Sequence, residues 1–370
     1  MKKLILSFIF LFVFINNSFA FFDRTGRLTD NSFWFKELNS INLEFQYLDK
    51  NFDPFDVIKN ESKTINLDSI SAPGDMVGGK LKFFYNFSPL ISAELTAGQA
   101  DYDYGLDSIK VDQLGIELNL KKQINRFVFV FSAGYEYMNA DDIKYSNLDN
   151  LNFMAKRIFP GQKIEVVFSE ENGYGFKKDK IAVFSKDAKN LDKPYISIKD
   201  MDSSSFYSGA SIHYNYNKIY SGFFGEIGKT KVNAAIDTNL DDYSKSLEKY
   251  MTENQKKALN SFPINLDRDD ETYFSAGTYL QFPLIFDLKL NLVYTFIRFN
   301  RDSDLDYEPD NHALNVSLIY PLTEKISLNF GGQYLYRQLN GVVPFLYNKY
   351  TQTTFDHKYG YLHAGLTYSF

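Results

Sequence analysis

The stretch from Phe286 to Phe296, FDLKLNLVYTF, alternates between apolar and polar side chains. Its even-numbered positions are all apolar, and its odd-numbered positions, Val293 apart, are polar. A period of two places successive side chains on opposite faces of a β-strand. Ten steps of about 3.3 Å, tilted by about 40°, rise roughly 25 Å, the height of the apolar band of a transmembrane β-barrel. The stretch therefore predicts a strand that crosses a bilayer with one apolar and one polar face.

The same alternation recurs to the end of the chain, in about 12 segments. They lie near residues 40–48, 77–87, 90–99, 109–120, 127–138, 205–216, 219–228, 272–283, 286–298, 311–320, 326–338 and 358–370. Most are about 9–13 residues long, whereas strands of water-soluble proteins are usually about 5–6. These lengths favour membrane-spanning strands.

The connections between these segments alternate in length, with short ones after each even-numbered segment and long ones after each odd-numbered segment. Short periplasmic turns and long extracellular loops are typical of outer-membrane barrels. We therefore predict an all-β fold, a single antiparallel transmembrane barrel over 40–370 with about 12 strands. The alternative is 14 strands, if short strand-like pieces within 139–204 also cross. A soluble β-sandwich would explain the alternation but not the strand lengths or the regular connections.

The first 20 residues have the pattern of a secretory signal peptide. Lys2 and Lys3 precede an apolar run, and Ser18 and Ala20 provide small residues before a cleavage site. We expect cleavage after Ala20 and a location in the cell outer membrane. Residues 21–39 include several aromatic side chains and are predicted to lie in the periplasm or to enter the lumen.

The composition excludes several classes of protein. The chain of 370 residues has no cysteine, which removes disulfide scaffolds and thiol catalysis, and its formal net charge of −6 argues against nucleic acid as a partner. No pattern of nucleophile and base stands out among its four histidines. We expect no cofactor and no enzyme activity.

The last eight residues, HAGLTYSF, resemble the C-terminal assembly signal of Gram-negative outer-membrane proteins. The resemblance lies in a polar residue, a glycine, a hydrophobic residue and a final aromatic residue: His363, Gly365, Tyr368 and Phe370. It covers only the last strand and indicates no subfamily. It implies the barrel-assembly machinery and outer-membrane lipid as partners.

The polar face of the predicted strands carries charges of both signs, which we expect to line the lumen. The candidates are Glu44, Lys80, Lys82, Glu94, Glu117, Glu136, Asp287, Lys289 and Arg337. Pairing Asn86 with Leu90 across the Ser88-Pro89 turn would place Lys82 directly opposite Glu94, as an ion pair. Two interpretations remain: a water-filled pore, or a plugged barrel in which these charges pair with one another. Val128 and Val130, on the same face, indicate a locally dry patch.

Two long connections, 139–204 and 229–271, are predicted to be extracellular subdomains, the first with a β-flap and the second with an amphipathic helix. In a third loop, Asp302, Asp304 and Asp306 resemble the start of a calcium-binding loop but lack its later glycine and glutamate. They indicate weak binding of divalent cations at the extracellular rim, or simply a solvated acidic loop.

These patterns favour a porin-like channel for small hydrophilic solutes or ions. The alternative is a closed structural or surface-binding barrel that acts through its extracellular loops. An outer-membrane enzyme has less support.

Overall fold

The computed structural model describes residues 34–35, 38–48, 76–103, 108–144, 165–169, 173–178, 181–184, 196–238, 268–300, 310–336 and 358–370. The strands in these ranges are β1 (Ser40–Leu48), β2 (Met76–Asn86), β3 (Ile91–Asp103), β4 (Ser108–Ile124), β5 (Phe127–Ala140), β6 (Ile143–Lys144), β7 (Glu165–Ser169), β8 (Gly173–Lys178), β9 (Ile181–Phe184), β10 (Ile196–Tyr216), β11 (Ile219–Thr238), β12 (Arg268–Pro283), β13 (Lys289–Asn300), β14 (Asp310–Pro321), β15 (Ile326–Tyr336) and β16 (Lys358–Ser369). Within these ranges no helix is long and apolar enough to cross a bilayer.

Twelve of these strands, β1–β5 and β10–β16, form one closed antiparallel barrel. Each pairs with its barrel neighbours in chain order, and β1 closes the ring by pairing with both β2 and β16. The strands β7–β9 form a separate three-stranded sheet, and the two-residue β6 joins the edge of β10. The predicted 12-stranded barrel is thus confirmed, and within the described residues nothing supports the alternative of 14.

The barrel has two unlike ends. At the end that we call the short-turn rim, strands connect through residues 87–90, 125–126, 217–218, 284–288 and 322–325. The opposite end is the long-loop rim. Two of these connections have only two residues. In one of them, Asn217-Lys218, the φ angles of 50° and 66° are both positive, as the two-residue turns that match the twist of a β-hairpin require.

The two faces of the barrel wall have opposite character. Outward side chains such as Leu114, Phe131 and Phe223 are large, apolar and about 60–67% exposed. Inward side chains include Asn42, Gln281 and Asn291, each at most 2% exposed. This distribution is the reverse of that in a water-soluble protein, because an apolar band of this extent is stable only against lipid or another apolar partner.

The largest differences from the predicted strand lengths are in β10 and β11. They have 21 and 20 residues, against 12 in β13, so the pair continues past the other strands at the long-loop rim. Residues 196–204, which the sequence places in the loop 139–204, are therefore the beginning of β10. The helix predicted within 229–271 lies outside the described residues.

The start of β13 also differs from prediction. Phe286 and Asp287 have φ angles of 54° and 59°, in the left-handed region, so they belong to the turn and the strand begins at Lys289. Asp287 is exposed there, and this is a correction to its predicted place in the lumen. The alternation of apolar and polar residues continues through this turn, but the backbone of the turn is not extended.

Candidate functional site: the barrel lumen

Near the short-turn rim, the lumen contains a side chain from the segment that precedes β1. Trp34 is 7% exposed and packs against Val128 and Val130 of β5. Its indole also meets the Phe84 ring edge-on, with 6.2 Å between centroids. The two inward valines thus provide the apolar surface against which the tryptophan packs.

A histidine on the neighbouring strand also contacts the indole. The His213 ring of β10 stacks on Trp34 with centroids 4.9 Å apart and planes 20° apart. Its Nε2 lies 2.8 Å from Ser211 Oγ and its Nδ1 lies 2.9 Å from Tyr279 OH, so both ring nitrogens have hydrogen-bond partners. These contacts hold the imidazole in place against the indole, and the aromatic pair occupies part of the lumen near this mouth.

A group of carboxylates lies further along the inward wall. Glu94 and Glu117 are directly opposite each other on β3 and β4. Together with Glu136 and Glu226, they lie close enough to the Tyr207 hydroxyl to act on it electrostatically. We call these four carboxylates the luminal acidic patch. Glu94, Glu117 and Glu226 are only half-buried although they face the inside of the barrel, so there is space for water beside them.

Two glycines on the wall allow this arrangement. The Tyr207 ring lies flat over Gly134, and the Tyr273 ring lies flat over Gly228; a Cβ at either glycine would overlap the ring. The Tyr273 hydroxyl donates a hydrogen bond to Glu226 Oε1.

The other side of the lumen is lined mainly by amides and hydroxyls. Asn42 Nδ2 donates to Thr367 Oγ1 at 2.8 Å, and Asn291 Nδ2 donates to Ser317 Oγ at 3.4 Å. Asn315 Nδ2 lies 3.4 Å from His363 Nε2. Among the described residues the lumen is therefore electrically asymmetric, with most of the carboxylates on β3–β5, β11 and β12 and mainly neutral polar groups on β14–β16.

Most of the predicted lumen residues lie on the inward face. Glu44, Lys80 and Glu136 are buried there, and Lys82, Glu94, Glu117 and Lys289 are half-buried. Arg337 lies outside the described residues, as do Asp302, Asp304 and Asp306. Within the described ranges no group of three or more His, Cys, Asp or Glu side chains is arranged to hold a metal ion.

The predicted ion pair exists with a different register. Lys82 Nζ lies 3.6 Å from Glu94 Oε1, but Lys82 pairs across the ladder with Thr96 and Glu94 pairs with Phe84. The β2–β3 turn has four residues, with the amides of Phe87 and Ser88 both donating to the Ile91 carbonyl at 3.0 and 3.1 Å. The register shifts by two, which keeps both side chains on the same face and makes the ion pair diagonal.

The residues of the C-terminal signal divide between the two faces. His363 and Gly365 are buried and face inward, and the exposed Tyr368 and Phe370 stack on the outside with centroids 5.8 Å apart. A Cβ at Gly365 would overlap Asn329 Oδ1. Packing alone therefore accounts for a glycine at this position.

Sequence reasoning missed Glu226 and Tyr207. In the first half of β11, Gly222, Phe224 and Glu226 share one face, while Phe223 and Gly225 share the other. Both faces mix glycine with aromatic residues, so the alternation did not reveal which of them faces inward.

Comparison with known proteins adds similarities of overall shape. The chain is similar to the translocator domain of autotransporter NalP from Neisseria meningitidis, with 10% identity, 90% of this chain and 89% of that chain covered and a TM-score of 0.42. It is also similar to the NanC porin, with 10% identity, 90% and 98% covered and a TM-score of 0.42. A third similarity is to LpxR from Salmonella typhimurium, with 7% identity, 90% and 100% covered and a TM-score of 0.40. No family model and no curated protein matches the chain. At these TM-scores the similarities carry no argument, and the fold rests on the strand pairing described above.

Proposed function

We propose that this chain is an outer-membrane barrel that conducts small hydrophilic solutes or ions, with its short-turn mouth closed by Trp34 in the state described. The observation that carries the proposal is a polar inward wall with a half-buried acidic patch, in a barrel closed at one end by an aromatic contact.

The membrane location is supported by the outward face. Exposed Leu, Ile, Phe and Val side chains occur on the outward face around the barrel. Backbone groups inside a bilayer must be hydrogen-bonded within the protein, and a closed barrel achieves this because it has no free edge. The C-terminal resemblance and the predicted signal peptide make the outer membrane the expected bilayer.

Conduction is supported by the space beside the luminal acidic patch. A barrel of about 8 strands is filled by its own side chains and one of about 16 is open, so about 12 is intermediate. The half-buried state of Glu94, Glu117 and Glu226 indicates a water-accessible segment. The described inward face carries six carboxylates, of Glu44, Glu94, Glu117, Glu136, Glu226 and Glu271, and four ammonium groups, of Lys80, Lys82, Lys121 and Lys289. This small excess of negative charge favours cations over anions.

Closure is supported by the position of Trp34. This residue belongs to the segment that precedes β1, so its place in the lumen depends on side-chain contacts rather than on the hydrogen-bond ladder of the barrel. Replacement of Trp34 is therefore expected to remove its contacts in the short-turn mouth while all 12 strands stay paired.

A closed barrel that acts through its loops is the second candidate. It is favoured by the close packing of inward side chains such as Glu44, Gln281 and Asn291, which are 0–1% exposed. The separate sheet β7–β9 offers a surface on which such a protein could act.

Conductance of the full-length protein in a planar bilayer tests the proposal. We expect low conductance for the wild type and a clear increase for Trp34→Ala, because that change removes the ring that packs against His213 and the two valines. Trp34→Phe is the control, since it keeps an aromatic ring at this position and is expected to stay close to the wild type. Equal conductance in all three proteins would contradict the closure by Trp34. No conductance in any of them would favour the closed barrel.

A further inference from the structure

The inward wall of the barrel changes from polar to apolar towards the long-loop rim. Near that end of six neighbouring strands, β2–β5, β10 and β11, an inward side chain is hydrophobic and at most 6% exposed. The residues beside them on the same strands, such as Val77, Asp112 and Lys231, are exposed on the outward face. We call the six inward residues the apolar collar: Met76, Ala100, Val111, Ala140, Met201 and Val232.

Four members of the collar follow one another directly across the strand ladder. Val111 pairs with Ala100 on one side and with Ala140 on the other, and Ala140 pairs with Met201. A second buried apolar cluster, which includes Phe299, lies on β12 and β13. Inward hydrophobic side chains at this end therefore form a continuous feature of the wall and not an isolated exception to its polar lining.

The collar and the luminal acidic patch differ in their contact with water. Ala100, Val111 and Val232 are at most 3% exposed. About 20 Å further along each of the same strands, towards the short-turn rim, lies a carboxylate of the patch. These carboxylates are half-buried: Glu94, Glu117 and Glu226. The water-accessible segment therefore lies between two dry ones, the collar and the contact of Trp34 with the inward valines.

We propose that the apolar collar is a dry constriction of the luminal path at the long-loop end, which leaves the luminal acidic patch in a chamber between the collar and Trp34. An apolar constriction holds back hydrated ions because water withdraws from it. Its barrier adds to the charge preference that the patch provides. This inference rests on the proposed function and concerns the regulation of the same path.

The test measures how fast a cysteine in the chamber reacts with a small cationic methanethiosulfonate, in the full-length protein in detergent micelles. The chain has no cysteine of its own, so Glu117→Cys reports on the chamber and Asp142→Cys, at an exposed position of the long-loop rim, is the reference. We expect Glu117→Cys to react at least about ten-fold more slowly, because the reagent has to cross a dry segment at either end. Equal rates would overturn the enclosed chamber.

Serine at Met76 and Met201 should admit water to the collar, because these are its two longest side chains. Added to Glu117→Cys, the double change Met76→Ser, Met201→Ser should raise the reaction rate several-fold. Val77→Ser is the matched control, since it introduces serine at the neighbouring outward position, and it should leave the rate unchanged. Val111→Thr nearly keeps the side-chain shape and adds a hydroxyl, so it serves if the double variant does not fold, with a smaller increase expected. Unchanged rates in both collar variants would overturn the constriction.

Conductance separates the collar from the proposed function. Two constrictions in series limit the current together, so adding the two serine changes to Trp34→Ala should raise its conductance further. Conduction by Trp34→Ala that the serine changes leave unaltered would support the channel and overturn the collar. A cysteine that the collar variants expose, in a barrel that never conducts, would support the collar and contradict the proposed function.

Discussion

The last residue of the chain is joined to the residue just before the first strand. The amide of Phe370 donates to the carbonyl of Asn39 at 2.9 Å, and the amide of Asn39 donates back to the carbonyl of Phe370 at 3.2 Å. The pairing of β1 with β16 closes the barrel, and we call it the seam. These two hydrogen bonds are its last ones at the short-turn rim.

Deletion of Phe370 should therefore weaken closure of the barrel. It removes both hydrogen bonds, each of about 1 kcal/mol, and the Tyr368 stack, of about 0.5–1.5 kcal/mol. We expect a smaller fraction of the chain in the compact form that migrates faster in SDS without boiling. Phe370→Tyr keeps the ring and the backbone and should assemble like the wild type. Normal assembly of the deletion variant would show that the seam does not depend on its last residue.

Gly134→Leu should destabilise the barrel by about 1–3 kcal/mol, because the side chain would displace the half-buried Tyr207 ring. The matched control is Gly115→Leu: a Cβ there meets nothing closer than Thr96 Cβ at 3.6 Å, so the loss should be smaller. Urea unfolding of the refolded barrel measures both. Adding Tyr207→Ala to Gly134→Leu should recover part of the loss, and an absence of any recovery would contradict the steric explanation.

The ion pair of Lys82 and Glu94 should contribute about 0.5–1 kcal/mol in a double-mutant cycle, since these side chains are only 15% and 27% exposed. The pair of Arg298 and Asp310, at 61% and 39%, should give a smaller coupling energy because water screens it. The cycles Lys82→Met with Glu94→Gln and Arg298→Met with Asp310→Asn compare them directly. A larger coupling for the exposed pair would contradict the assigned burial.

If the lumen conducts, permeation should favour cations modestly. Glu117→Gln removes one charge of the luminal acidic patch and should lower the cation preference at low and high salt alike. Asp302→Asn, Asp304→Asn and Asp306→Asn together should lower it only at low salt, because a rim charge reaches about 8–10 Å at ordinary ionic strength. Reversal potentials in a salt gradient measure both effects, and anion selectivity at low salt would contradict the electrostatic assignment.

The orientation in the membrane can be tested with single cysteines, because the chain has none of its own. Asp142→Cys follows β5 at the long-loop rim, and Glu324→Cys lies in the turn between β14 and β15; both positions are exposed. We expect a membrane-impermeant maleimide to label the first in intact cells and the second only after the outer membrane is opened. The opposite pattern would invert the proposed topology.

The sequence by itself determined the number of barrel strands and the character of each face. One face of each strand meets an apolar medium and the other does not, so side chains must alternate with period two, and a local pattern reports this directly. The same reasoning placed Glu94 and Glu117 on the polar face. It was wrong for Asp287, because a positive φ angle cannot be read from an alternating turn sequence.

Tertiary structure alone decided which side chains meet. The luminal acidic patch brings together carboxylates from β3, β4, β5 and β11. Trp34 stacks on His213, which is distant from it in the chain. The diagonal contact of Lys82 with Glu94 followed from the number of residues in one turn. Such contacts depend on register, turn geometry and closure of the ring, which are set by hydrogen bonds and packing between distant segments. No local period in a sequence carries that information.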